Sequence, residues 1–388
     1  MSLSTLPTEL LEQIASYLDL AAFRSLRLTA HHCHIRTSLF FKHRFFSTQY
    51  VSWNKDSLKR LVYVAAHAEF GDALKCLVVD ATPYYALELW KMRRRSADAG
   101  HLTPITDDED GSKLVRRLED EYEVRAQEAD STARWFNETR FDVVCLKKVF
   151  ARVKSLENLV FAYEGMDMRY SKFAQMYCET TQHEMSRPFV SALHALAASG
   201  TPVNCVSTAG IRSHGAVSVG RLESLAPCLR AFDNVFEKLD TLRLKLRDWR
   251  SPDTGFELER SRAPFSARFL VKCRNVRVID LSFYSCFEDD AFGELVRVGR
   301  FERLQSVTLE MFRVKQGKNL IEFLEPSKAF LTELRLRHVL LDTNDEKESG
   351  RKCWNEVFGE FTDEKRHLQN LRVFHAERLF FNSRIGVP

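Results

Sequence analysis

The side chains with most chemical capacity are nine cysteines and twelve histidines. Their tightest cluster, His31-His32-Cys33-His34, invites a metal reading. Adjacent residues of a helix point in different directions, so at most two of the four could share an ion, and no partner pair with C-x-x-C or H-x-x-x-H spacing follows. The cysteines are scattered singly and odd in number, the pattern of reduced thiols, and Cys76 and Cys205, flanked by apolar residues, are expected at buried structural positions. There is no Gly-rich phosphate loop, no G-x-S-x-G and no H-E-x-x-H, so no catalytic residue, cofactor or metal ligand is assigned and the chain is expected not to be an enzyme. The chemistry that remains is recognition by charge. Arg243, Lys245, Asp280, Ser282, Thr308, Glu310, Arg335, Arg337 and Arg372 each flank the apolar residues of a short Leu-rich segment. If those segments are parallel strands, the nine side chains line up as a target-binding face, and its arginines suit carboxylate or phosphate groups, which guanidinium binds bidentately.

A repeat must position that row. The spacing φ-x-x-φ-x-φ (φ apolar) occurs as Leu74/Leu77/Val79, Leu156/Leu159/Phe161, Leu239/Leu242/Leu244, Val276/Ile279/Leu281, Leu304/Val307/Leu309, Leu331/Leu334/Leu336 and Leu368/Leu371/Val373, with a weaker copy around Val203 to Val206. The last five starts are 37, 28, 27 and 37 residues apart, straddling the period of leucine-rich repeats. Each copy predicts a strand whose leucines point into a stacked core. The stretches before several of them, Phe189 to Ala198, Asp290 to Val298, Asn319 to Leu324 and Trp354 to Phe361, predict the covering helices.

The first 46 residues have another design. Pro7 followed by Glu9 in the first turn starts a helix, along which Leu10, Leu11, Ile14, Tyr17 and Leu18 recur with helical spacing. Asp19 is a suitable N-cap for a second helix carrying Leu20, Phe23 and Leu26, and a third apolar-rich segment runs from Ile35 to Phe46. Three short helices cannot bury all their apolar surface alone, so an exposed apolar face is expected. Between Lys91 and Arg134 stand Arg93 to Arg95, the acid run Asp107 to Asp110, and a stretch from Leu114 to Ala133 dense in charges of both signs, which suits a solvated loop and an exposed helix.

The run Leu6-Pro7-x-Glu9-Leu10-Leu11-x-x-Ile14-x-x-Tyr17-Leu18-Asp19-Leu20-x-x-Phe23-x-x-Leu26-Arg27-Leu28 resembles an F-box, although no Trp occupies the third helix, where F-boxes usually carry one. With the repeats, the chain is similar to F-box proteins with degenerate leucine-rich repeats, in the Phe-rich style of fungal members. The resemblance implies an α/β chain: a three-helix F-box over 1–46, linker helices and a first repeat-like unit over 47–90, a charged insertion over 91–135, and an irregular leucine-rich-repeat solenoid with a curved parallel sheet over 136–388. It implies a non-catalytic substrate-recognition subunit of an SCF-type cullin–RING ubiquitin ligase. Leu6, Pro7, Glu9, Leu10, Leu11, Ile14, Leu18, Leu20, Phe23 and Leu26 would dock on the Skp adaptor, and through it a cullin, while the repeats bind a protein target. The alternative is a leucine-rich-repeat interaction scaffold, outside any ligase, whose N-terminal helices pack on its own repeats.

Composition agrees with a protein partner. The 57 Lys+Arg and 53 Asp+Glu nearly balance, which gives no reason to expect nucleic acid or an anionic membrane. No apolar stretch approaches a membrane span, and the first twenty residues hold no Lys or Arg, so a cytoplasmic or nuclear location is expected.

Overall fold

A computed structural model of the chain describes residues 6–82, 109–163, 184–209, 216–247, 265–284, 291–343, 354–359, 368 and 370–383. Three helices form a head: α1 (Thr8–Ser16), α2 (Leu20–Thr29) and α3 (His31–Phe46). Asp19 caps α2 as its sequence predicts, its carboxylate accepting from the Ala22 N–H at 2.7 Å. Pro7 is the N-cap of α1 rather than its first residue, and its carbonyl accepts from Leu11 N–H.

After the head the chain alternates strands and helices. The strands of the main sheet are β1 (Thr48–Ser52), β2 (Cys76–Asp80), β3 (Leu156–Ala162), β4 (Val203–Ala209), β5 (Val217–Ser218), β6 (Thr241–Arg247), β7 (Val278–Tyr284), β8 (Ser306–Glu310), β10 (Glu333–Arg337) and β12 (Val373–Glu377). All pair in parallel in the order β1-β2-β3-β4-β6-β7-β8-β10-β12, with the two-residue β5 beside β6. This is an open, solenoid-like α/β sheet in which each unit follows its neighbour in sequence. The covering helices include α4 (Lys55–Ala66), α5 (Glu109–Thr139), α6 (Phe141–Phe150), α7 (Arg187–Ser199), α8 (Val219–Leu222), α9 (Phe232–Val235), α10 (Phe265–Leu270), α11 (Ala291–Val298) and α12 (Gly317–Leu324), and residues 354–359 are helical too. Arg93 to Arg95 and the first two residues of the acid run lie outside the described residues. The exposed helix expected over Leu114 to Ala133 is part of α5.

One core runs the length of the stack, from Val51 to Leu368. Its central rung is Leu77, Leu159, Val206, Leu242, Ile279, Val307 and Leu334, each directly beside the next. Register is enforced at the strand entries, where two successive N–H groups converge on one carbonyl of the preceding unit: Arg277 and Val278 on Asp240, Gln305 and Ser306 on Arg277, Thr332 and Glu333 on Gln305, Arg372 and Val373 on Thr332.

That ladder corrects three expectations. The copy around Val203 is a full strand, β4. The last copy is displaced by three residues: Leu334 registers with Phe374, so the inward positions of β12 are Phe374 and Ala376, and Leu368 and Leu371 belong to the turn leading in. The span 47–90 holds two paired strands rather than one unit, because β1 registers with β2 through Val51 and Val79.

Candidate recognition surfaces

In the head, the apolar stripe of α1 divides between two surfaces. Leu11 and Ala15 turn inward and, with Phe23 and Phe41, are buried; Leu18 and Leu26 pack partly buried against this small core. Phe23 lies edge-on to Phe41 at 5.2 Å, and the buried Arg27 guanidinium stands over the Phe41 ring at 4.0 Å. Of the ten residues expected to dock on an adaptor, Leu11 and Phe23 therefore cannot reach a partner. Pro7, Glu9, Leu10, Ile14 and Leu20 are exposed, and Leu6 is half-buried. One residue further round α1, Leu10 (45% exposed), Ile14 (40%) and Tyr17 (83%) make a second apolar row, and Leu28, Ile35 and Leu39 of α2 and α3 are exposed as well.

The head is fastened to the first solenoid unit by polar and aromatic contacts. Glu69 accepts from Ser38 Oγ at 2.7 Å and pairs with Arg27 at 3.4 Å, Lys42 pairs with Asp72 at 2.5 Å, and Phe46 stacks on Phe70 at 4.2 Å between centroids. The Ser38 hydroxyl, helped by Arg27, holds the Glu69 carboxyl below its ordinary range.

The second surface is the outward side of the main sheet. Registration places Arg243, Asp280, Thr308, Arg335 and His375 in one row and Lys245, Ser282, Glu310, Arg337 and Glu377 in the next. The expected residues are thus brought together, except Arg372, and Ser282, in the row but only 1% exposed, cannot reach a partner. Arg372 precedes β12, its N–H bonds to Thr332 O, and by alternation it falls in step with Phe374; His375 and Glu377 occupy the row instead. Toward β1 the first row continues uncharged through Ser207, Val160, Val78 and Tyr50, while the next row carries Asp80 on β2. Burial pushes the Asp280 carboxyl up, against the pull of Arg243, and pushes the Lys245 ammonium down, against Glu310 and Asp280. Glu310 accepts from Ser282 Oγ at 3.1 Å; Glu333 accepts from Ser306 Oγ at 2.7 Å and pairs with Arg335 at 2.5 Å.

Cys76 and Cys205 are also on this side, in register with Asn158 between them, half-buried rather than in the core positions expected of them. Burial raises both thiols. In the head, Cys33 is buried while His31 and His34 are exposed, and among the described residues no three His, Cys, Asp or Glu side chains converge as a metal site.

Two polar clusters have no signature in the sequence. Arg187 at the start of α7 is buried against Glu184 (2.8 Å) and Asp142 (3.5 Å), reaches Asn137 near the end of α5, and Asp142 also accepts from Ser191 Oγ at 2.8 Å. Nearby, Cys228 Sγ lies 3.2 Å from His194 Nδ1. A nucleophilic Cys–His pair works as thiolate and imidazolium. Here burial raises the thiol, and burial with Arg140 and Arg221 lowers the imidazole, so both groups are held in their neutral forms. Comparison with protein-family models and with curated proteins gave no match to this chain.

Proposed function

We propose that the chain is the substrate-recognition subunit of an SCF-type ubiquitin ligase, an F-box head on leucine-rich-like repeats. The head docks on the Skp adaptor through Leu10, Ile14, Tyr17 and Leu20, with the exposed Ile35 and Leu39 of α3 as further apolar positions, and the charged strand face holds a protein target. The chain acts by proximity, raising the effective concentration of the target near the ubiquitin-loading enzyme. The observation that carries this reading is the row of large apolar side chains left uncovered on a head whose own core is already closed. The interaction-scaffold alternative draws on the packing of Phe46 and Phe41 against Phe70, but that packing uses the inner side chains and leaves the outer row free.

Co-expression with the adaptor tests it: the two should elute together, and Leu10→Asp with Ile14→Asp should abolish co-elution. Each carboxylate would be buried in an apolar interface at a cost of several kcal/mol. An intact chain that elutes alone, or a double variant that still co-elutes, rules the docking out.

A further inference from the structure

On the outward side of the main sheet, charge changes sign by strand. β6 presents Arg243, exposed, its guanidinium making no hydrogen bond or ion pair among the described residues. β7 presents Asp280, which accepts no hydrogen bond among them, and β8 presents Glu310, which accepts from Ser282 Oγ; the Lys245 ammonium of β6 acts on both carboxylates. β10 presents Arg335, which is paired with Glu333, and Arg337, and the Nε atoms of both are buried without a hydrogen-bond partner among the described residues. The order is therefore positive, negative, negative, positive across four adjacent strands. Buried donors without a partner are costly unless their counterparts are supplied, and a half-buried carboxylate with no hydrogen bond gains from one.

The spacing sets what that partner looks like. From β6 to β10 is three strand intervals, about 14 Å at ~4.8 Å each. An extended chain advances about 3.3 Å per residue and turns alternate side chains to the same side, so residues i, i+2 and i+4 span about 13 Å facing one surface. With residue i over β6, residue i+4 reaches β10 and residue i+2 falls between β7 and β8. We propose that the strand face from β6 to β10 binds an extended segment of the target whose alternate residues run acid, base, acid, laid across the strands. The acids meet Arg243 and the Arg335/Arg337 pair; the Lys or Arg between them meets Asp280 and Glu310. A uniformly acidic segment is disfavoured, because its middle group opposes those two carboxylates. This rests on the strand face being the recognition surface and is independent of what the head binds.

The test uses the full chain and a fluorescent peptide containing Glu-Ser-Lys-Ser-Glu, with anisotropy read at low salt, where charge pairs are least screened. Two controls carry the inverted charges, Lys-Ser-Glu-Ser-Lys, and the same composition out of spacing, Glu-Glu-Ser-Ser-Lys. The matched peptide should bind at least about tenfold tighter than either control. Arg337→Glu should weaken the matched peptide by about tenfold and bind more tightly a peptide whose terminal acid is replaced by Lys. Arg243→Glu, at an exposed position, gives the same exchange at the other end. Equal affinity for matched and mis-spaced peptides, no binding of the matched peptide, or no rescue by the exchanged charge overturns the proposal. Adaptor co-elution, measured on the same preparations, should be unchanged by both substitutions, which separates a failure here from a failure of the docking head.

Discussion

Removing the guanidinium of Arg187 should be among the most damaging single changes outside the apolar core. Arg187 is 2% exposed and stands between Asp142, which is 0% exposed, and Glu184. Arg187→Met keeps much of the volume and removes the cation paired with both buried carboxylates, leaving Arg221 as a more distant one, a change that costs about 3–5 kcal/mol. Asp142→Asn is milder. Arg187 retains its two contacts to Glu184, at 2.8 and 3.3 Å, and the amide oxygen still accepts from Ser191, so about 1–2 kcal/mol is expected. The double variant should cost less than the two singles added, since the second change removes one of the carboxylates the first one orphaned. Urea unfolding followed by circular dichroism gives all three values. Because stacked units can open separately, hydrogen exchange over 130–139 is the second readout: Arg187 also holds Asn137, and its loss should release the end of α5 around Trp135 and Phe136. A cost for Arg187→Met below about 1 kcal/mol, or strict additivity in the cycle, would refute the view that this cluster is one coupled unit.

Phe23→Ala should cost about 3–5 kcal/mol of head stability, whereas Ile14→Asp, on the uncovered row, should change it by less than about 0.5 kcal/mol; thermal melts of the two variants check the contrast. Glu69, its folded-state carboxyl held low by Ser38 and Arg27, stabilises the junction of head and solenoid above the ordinary carboxylate range. That contribution is lost as pH falls through the depressed value, so exchange protection around 38–48 should drop on acidification, and Glu69→Gln should remove this dependence.

The sequence was most legible where one periodicity dominated. Inward Leu and Val at every second position, repeated every 27 to 37 residues from Leu239 to Leu336, predicted β6, β7, β8 and β10 in their true register. It failed where the period was ambiguous or the needed residue was atypical. In α1, Leu10 and Leu11 are both apolar and 100° apart, so the spacing alone does not say which of the rows 11/15/18 and 10/14/17 faces in. In β1, Gln49 occupies an inward rung and only Val51 is fully buried, which hides the strand. The turn after each C-terminal strand needs a left-handed residue, and the chain uses Met311, His338 and Arg378 (φ 59°, 52° and 52°) where glycine would have been an audible signal. Those turns lead into β9 (Arg313–Val314), β11 (Leu340–Thr343) and β13 (Phe380–Ser383), a second parallel sheet that no pattern announced. The Arg187 cluster joins residues 45 apart, and no local spacing encodes such a meeting.

The two candidate surfaces gain meaning from their separation. The head is fixed at the β1 end of the sheet by the Glu69, Asp72 and Phe70 contacts, while the charged rows begin at β6. Four strand intervals lie between β1 and β6 and seven between β1 and β10, or about 19 and 34 Å along the sheet at ~4.8 Å per interval. A partner docked on the head and a segment held on the charged rows can therefore occupy the chain together, without competing for side chains. Linking two sites raises effective concentration only when the link spans them in a workable geometry, and a sheet hydrogen-bonded from strand to strand sets that distance more narrowly than a flexible tether of the same length. On the proposed reading, the first half of the face, whose row from Tyr50 to Ser207 is uncharged, is the spacer between the two sites.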